Sequence, residues 1–145
     1  MKINWSKYIA ENNEFNHWTQ DEQHLADISD YLDERVDNFK DEIVVISLDM
    51  FINKKDLIIE LIVFNNSDRI VNDLELEVEL NVLGQDHFIG KLTMNKGCYD
   101  PLLPSEARID LVNFKNDIFK KGKYTSNDYS LKVKKCVELV YEEQK

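Results

Sequence analysis

Three histidines, two cysteines and 28 acidic side chains are the groups in this 145-residue sequence with the means to do chemistry. His17, Asp21 and His24 stand at spacings of four and three, which would bring them to one helix face if a helix began early enough. Thr19 followed three residues later by Glu22 is a capping-box pattern, however. With Thr19 as N-cap, His17 falls outside the helix and the alignment is lost. A zinc site wants three or four ligands, and neither Cys98 nor Cys136 sits at a zinc-finger spacing from these histidines. His87 starts a strand beside a turn and has no evident partner. A deep pocket lined by His87, Tyr99 and Asp100 would be the one arrangement to reopen acid–base catalysis. No Gly-x-Ser-x-Gly elbow, phosphate loop, dinucleotide fingerprint or zincin motif occurs. Four glycines in the whole chain also leave little from which to build a phosphate cradle. The expectation is no catalytic residue, no cofactor and no metal: the chain does not read as an enzyme.

The acids are more informative. Asp27, Asp30, Glu34 and Asp37 follow a 3-4-3 spacing and so share one face of a helix. Like charges at that spacing cost a few tenths of a kcal/mol per pair, and Arg35 relieves little. Glu75, Glu77 and Glu79 alternate along a strand and project from one face, roughly 6–7 Å apart. That is too wide to chelate one ion and suits a row of lysines or arginines. Neither group resembles a calcium-binding loop. These seven residues are the candidate binding surface, an acidic docking face for a basic protein partner. Such a face raises association rate more than affinity. The competing account is a solvated face that confers solubility.

Elements that would position these rows are legible. Leu25, Ile28, Leu32, Val36 and Phe39 recur every three or four residues, predicting an amphipathic helix over 20–39. Trp5, Tyr8 and Ile9 suggest a short helical turn before it. Near Asp41 the period changes from 3.6 to 2. Residues 43–52 place Val44, Ile46, Leu48, Met50 and Ile52 on one face of a strand. A second strand, 57–64, is apolar on both faces and broken only by Glu60, so it must be covered on both. Strand 74–82 alternates most cleanly, and Gly84-Gln85-Asp86 fits a hairpin loop leading into 87–94. The stretch 95–108 reads as a loop, and 109–114 and 130–140 supply two more strands. Six strands with short turns argue for an antiparallel β-sandwich, mainly β with an N-terminal helix packed on it. The chain reads as a single domain over 1–145, with a helical N-terminal segment at 1–41 and the sandwich at 42–141.

From Val44 to Phe114 the order of features resembles small immunoglobulin-like modules of low-GC Gram-positive bacteria, the S-layer-associated (SLAP-type) domain first and the FxLYD-type module second. Three stretches carry the likeness. Ile62-Val63-Phe64-Asn65-Asn66 is similar to the family's apolar strand running into an Asn before a turn. Leu74 to Leu83 followed by Gly84-Gln85-Asp86 is similar to its alternating strand and hairpin. Leu103-Pro104-Ser105-Glu106-Ala107-Arg108, then Ile109 to Phe114, resembles its Pro-x-x-Ala-Arg step into a strand ending in Phe. The tryptophan that usually follows the Ala-Arg step is replaced by Ile109 and Asp110, and Leu83 stands where the FxLYD-type aromatic would be. The resemblance covers about half of the chain. It implies an immunoglobulin-like sandwich and a non-enzymatic protein–protein interaction module linked to the cell envelope or secretion.

Charge bounds the partners. The formal net charge is -10, against the basic surface that nucleic acid requires. Residues 1–39 carry nine acids and three bases, residues 40–110 fourteen and seven, and residues 111–145 five and eight. Of the basic C-terminal residues, Lys132 and Lys134 alternate with Leu131 and Val133, as an edge strand that discourages sheet-to-sheet pairing would. No apolar run is long enough to span a bilayer, and MKINWSKYIA lacks a secretory h-region. The expected location is the cytoplasm, with Cys98 and Cys136 as thiols. A homodimer through an exposed edge, or through the second apolar face of 58–64, is the self-association this sequence allows. An immunity- or inhibitor-type protein that neutralises a basic toxin or enzyme would use the same acidic surfaces. Gene neighbourhood would separate the two readings.

Overall fold

In strand β4 (Leu74–Val82) every second residue, from Leu74 to Val82, is buried, and Glu75, Glu77, Glu79 and Asn81 between them are half-exposed. That alternation fixes which side of its sheet faces the core. The structure is a computed structural model that describes residues 2–11, 16–52, 56–82, 85–94, 101–115, 122–124 and 128–138. Its other elements are β1 (Lys2–Trp5), α1 (Lys7–Ala10), α2 (Asn16–Thr19), α3 (Glu22–Asp33), a single 3-10 turn (Val36–Asn38), β2 (Ile43–Ile52), β3 (Asp56–Asn65), β5 (Gln85–Met94), β6 (Glu106–Lys115), β7 (Gly122–Tyr124) and β8 (Tyr129–Glu138). The strands form two sheets, one ordered β1-β6-β3-β2-β7 and the other β5-β4-β8.

The two sheets face each other across a shared core. Leu57, Ile59 and Leu61 of β3, Met50 and Ile52 of β2, and Val112 and Phe114 of β6 meet Val78, Leu80 and Val82 of β4 and Tyr129 of β8. Val63, Leu74 and Leu76 continue this layer with Val71 and Leu102. The opposite face of the five-stranded sheet is covered by the helix: Ile28 and Leu32 of α3 pack with Ile62, Phe64, Ala107 and Ile109. Each such fully buried side chain contributes about 1.5–3 kcal/mol of transfer free energy. The fold is therefore layered as helix, sheet, sheet. A strand apolar on both faces sits in the middle of it, and α3 covers the second face of β3 as the strand required.

Several local expectations are revised. The helix is shorter than 20–39 at both ends. Its N-cap is Asp21, whose carboxylate accepts from the backbone N–H of His24 at 3.1 Å, and Thr19 instead closes α2, its hydroxyl donating to the Asn16 carbonyl. Asp outcompetes Thr as a cap and stands nearer the first periodic apolar residue. After Asp33 the chain tightens into the 3-10 turn, which keeps the stripe in contact: Val36 and Phe39 still pack on the same layer, with Phe39 and Phe64 ring centroids 5.7 Å apart.

Trp5 belongs to a strand, with the helical turn following it at Lys7–Ala10. β1 runs parallel to β6, pairing Trp5 with Ile109, so the sheet is not wholly antiparallel. With β1 and β7 the described strands number eight. The residues of β2 do not share one face. The β2–β3 register shifts between Ser47 and Met50, and the extra residue exchanges the faces. Val44, Ile46 and Leu48 lie in the helix layer, whereas Met50 and Ile52 enter the inter-sheet core.

Asn65, fully buried at the end of β3, ties the next turn together. Its side-chain N–H group donates to the carbonyls of Arg69 (2.7 Å) and Leu102 (3.0 Å), and its Oδ1 accepts from the Ser67 N–H and hydroxyl. Gln85 and Asp86 of the expected hairpin loop already belong to β5. Gly84, residues 95–100 and the ends of the last strand at 139–140 lie outside the described residues.

Candidate functional site

The four helix acids are arranged as their spacing requires. Asp27, Asp30, Glu34 and Asp37 are all exposed along the outer side of α3 and its 3-10 extension, opposite the buried Ile28 and Leu32. Arg35 is the one Arg or Lys between residues 21 and 39. Its guanidinium is engaged locally, 3.4 Å from the Glu34 carboxylate, donating to the Tyr31 carbonyl at 3.0 Å and stacked 3.7 Å over the Tyr31 ring. The Gln23 amide donates to Asp27 at 2.9 Å. The helix thus presents an acidic ridge.

The strand acids have a different environment. Glu75, Glu77 and Glu79 lie on the outer face of the three-stranded sheet, beside β8. Lys134 donates to Glu79 at 2.8 Å, and Lys135 reaches Glu75 at 3.5 Å. The hydrogen bond to Glu79, and then its charge, hold the Lys134 ammonium above the usual lysine range. The row of cations that these glutamates suit is supplied by the chain itself. Because α3 covers the far side of the five-stranded sheet, the two acidic rows occupy opposite outer faces of the layered fold. No flat partner surface reaches both.

A third group was not foreseen. His24 projects from α3 to Glu60 in the centre of β3, its Nε2 lying 2.8 Å from Oε1 and 3.1 Å from Oε2. The Glu60 side chain is 2% exposed and the imidazole 26%. Glu60 faces the helix because it shares the even face of β3 with Ile62 and Phe64, and a carboxylate there demands a donor. The signal available in sequence was Glu60 itself, the one charge within the apolar run 57–64. Its partner lies 36 residues away, beyond any local pattern. A single ring nitrogen held against both carboxylate oxygens ties helix to sheet, and the geometry is that of a clamp. A second buried tie joins α1 to the sheet: the Ser6 hydroxyl donates to Asp110 at 3.2 Å, and the Ser6 N–H donates to the Ile109 carbonyl at 2.8 Å.

Between the outer edges of β2 and β8 runs a groove of about 500 Å³. Its walls include Ile43, Val45 and Val133, with Arg69, Lys134 and Cys136 among its polar groups. Arg69 reaches Glu42 at 2.9 Å, and this hydrogen bond, reinforced by the guanidinium charge, holds the Glu42 carboxyl below the usual carboxylate range. Among the described residues no three His, Cys, Asp or Glu side chains gather closely enough to hold a metal ion. Nor is any described helix long and apolar enough to cross a membrane. The backbone of His87 lies in β5, paired with Asn81, while Cys98, Tyr99 and Asp100 lie outside the described residues. Cys136 is exposed on β8. Comparison of the chain with protein-family models, with curated proteins and with solved structures finds no match.

Proposed function

We propose that this chain is a non-enzymatic protein–protein interaction module that engages a basic partner through the acidic ridge of α3. The observation that carries the reading is the contrast between the two acidic rows. The β4 glutamates meet lysines from the neighbouring strand, whereas the exposed acids at 27, 30, 34 and 37 share their segment with one arginine already bound to its own helix. Like charges held on one exposed face destabilise the free helix, and a cationic partner relieves that repulsion. The ridge sits on a rigid support, with Leu32 fully buried directly beneath it. Two facing sheets with a helix on one outer side accord with an immunoglobulin-like sandwich, and the sequence resemblance extends that reading to a role at the cell envelope or in secretion.

The test compares two neutralised variants of the full chain. One carries Asp27→Asn, Asp30→Asn, Glu34→Gln and Asp37→Asn, and the other Glu75→Gln, Glu77→Gln and Glu79→Gln. Partner recovery from the native host and the association rate of the recovered partner are measured at low and moderate salt. The helix set should slow association about tenfold or more and flatten its salt dependence, with the strand set close to the parent. Equal association by the helix set and the parent would end this reading.

A further inference from the structure

The edges of the two sheets are not equally defended. β1 and β7 are short, at four and three residues. β8 carries Lys132, Lys134 and Lys135, and β5 carries Asp86 and Lys91. Short strands and charges are the usual means of keeping an edge from recruiting another strand. The outer edge of β2 has neither device over Ile43–Leu48, a stretch with no charge, proline or glycine. β7 pairs with β2 only at Met50, Phe51 and Ile52. Burial follows that coverage: Met50 and Ile52 are 0% and 2% exposed, whereas every residue from Ile43 to Leu48 is half-exposed.

The hydrogen-bond phase of this edge can be read from its neighbours. The Asn66 N–H donates to the Glu42 carbonyl, and the Asn65 carbonyl accepts from Ser105 on the β6 side. With Ile43 opposite Asn65, residues 42, 44 and 46 exchange their bonds with β3. Antiparallel ladders alternate, so the N–H and C=O groups of Ile43, Val45 and Ser47 point outward from the sheet. No described strand meets them. Beside them lies the groove of about 500 Å³, whose apolar walls include Ile43, Val45 and Val133, the last 40% exposed.

We propose that the outer edge of β2 at Ile43–Ser47 is a strand-addition site for an extended segment of another protein, one with apolar side chains at alternate positions. The backbone of that segment would complete the ladder at residues 43, 45 and 47, and its inward side chains would fill the groove. The charges lining the groove are largely matched, Arg69, Lys134 and Lys135 meeting Glu42, Glu79 and Glu75, with Asp41 as the remaining acid. The segment it fits therefore carries apolar inward side chains and lysines rather than acids between them. A second copy of the chain fits poorly. Two-fold pairing of β2 with itself would bring together two chains of net charge -10 each, which repel one another. This site is separate from the α3 ridge, and neither proposal depends on the other.

The experiment follows backbone amide exchange of the full chain by NMR. The probes are acetylated nonapeptides with Val, Ile, Phe or Tyr at alternate positions and Thr or Lys between them. In the free protein Ile43, Val45 and Ser47 should exchange faster than Val44 and Ile46. A binding peptide should slow those three about tenfold or more and shift Val133 and Cys136. Ser47→Pro removes one outward N–H at a position where an edge strand tolerates proline. It should weaken the peptide about fivefold, and Val133→Lys should weaken it further by placing a charge in the groove. The neutralised α3 variant should bind these peptides as the parent does. Failure of every peptide to slow the three amides, or protection of those amides in the free chain, would overturn the proposal. So would a concentration-dependent dimer that protects them without peptide, because the occupant would then be a second copy.

Discussion

Removing the imidazole of His24 is the sharpest test of how the helix is fastened to the sheet. Glu60 is 2% exposed, and His24 Nε2 lies 2.8 and 3.1 Å from its two oxygens. His24→Leu leaves that carboxylate buried against a side chain that cannot donate to it. Breaking a buried pair by deleting one partner costs about 3–5 kcal/mol, which for a chain of this size corresponds to roughly 10–16 °C in Tm. The double variant His24→Leu/Glu60→Leu removes the buried charge together with its partner. Replacing a whole buried pair by apolar groups is close to neutral, so the double variant should be more stable than His24→Leu alone. Glu60→Gln keeps a polar partner for the ring and should lose about 1 kcal/mol. Urea unfolding followed by circular dichroism gives the three values, with a constant m-value confirming that the comparison is like for like. If His24→Leu costs less than about 0.5 kcal/mol, or if the double variant is no more stable than His24→Leu alone, the clamp does not exist as described.

Two further outcomes follow from local geometry. Asp21→Ala should lower stability by about 1 kcal/mol, because the His24 N–H loses its cap, whereas Thr19→Ala should change urea unfolding little; the reverse order would place the N-cap where the sequence pattern put it. Arg69→Gln should return the Glu42 carboxyl toward the ordinary range, seen by carbon-detected NMR titration. With the pair intact, the folded-state value of Glu42 is depressed, so its contribution is present above the unfolded carboxylate range and lost as pH falls through the folded value. In Arg69→Gln that acid-limb contribution should disappear, and an unchanged Glu42 titration would show that Arg69 is not its cause.

Patterns with a short period were legible in the sequence. The stripe of Leu25, Ile28, Leu32, Val36 and Phe39 packs as one layer although it spans a helix, a turn and a 3-10 turn, because each segment advances roughly one turn per three or four residues. The alternation of β4 holds residue by residue, and the acids of α3 and β4 stand on the outer faces their spacing implied. The need to cover β3 on both sides was equally plain, since a strand cannot leave Ile62 and Phe64 in water beside Leu61 and Val63 without losing the burial that forms it.

What the sequence alone could not contain were relations between distant segments. The face exchange in β2 depends on one extra residue set against β3, and nothing within IVVISLDMFI marks where that residue lies. The parallel pairing of Lys2–Trp5 with Glu106–Ala107-Arg108-Ile109 joins stretches about a hundred residues apart, and a short amphipathic segment reads equally well as helix or strand until its neighbour is known. The same holds for the strand acids: their lysine partners were legible on an edge strand, but nothing in the sequence set that strand beside β4. Glu60 stood out as a charge on an apolar strand while His24 read as an ordinary histidine, and tertiary packing made the one the partner of the other. Local periodicity determined which side chains are buried, because it is fixed by backbone geometry. The partners they are buried with were decided by strand order and register, which only the folded chain sets.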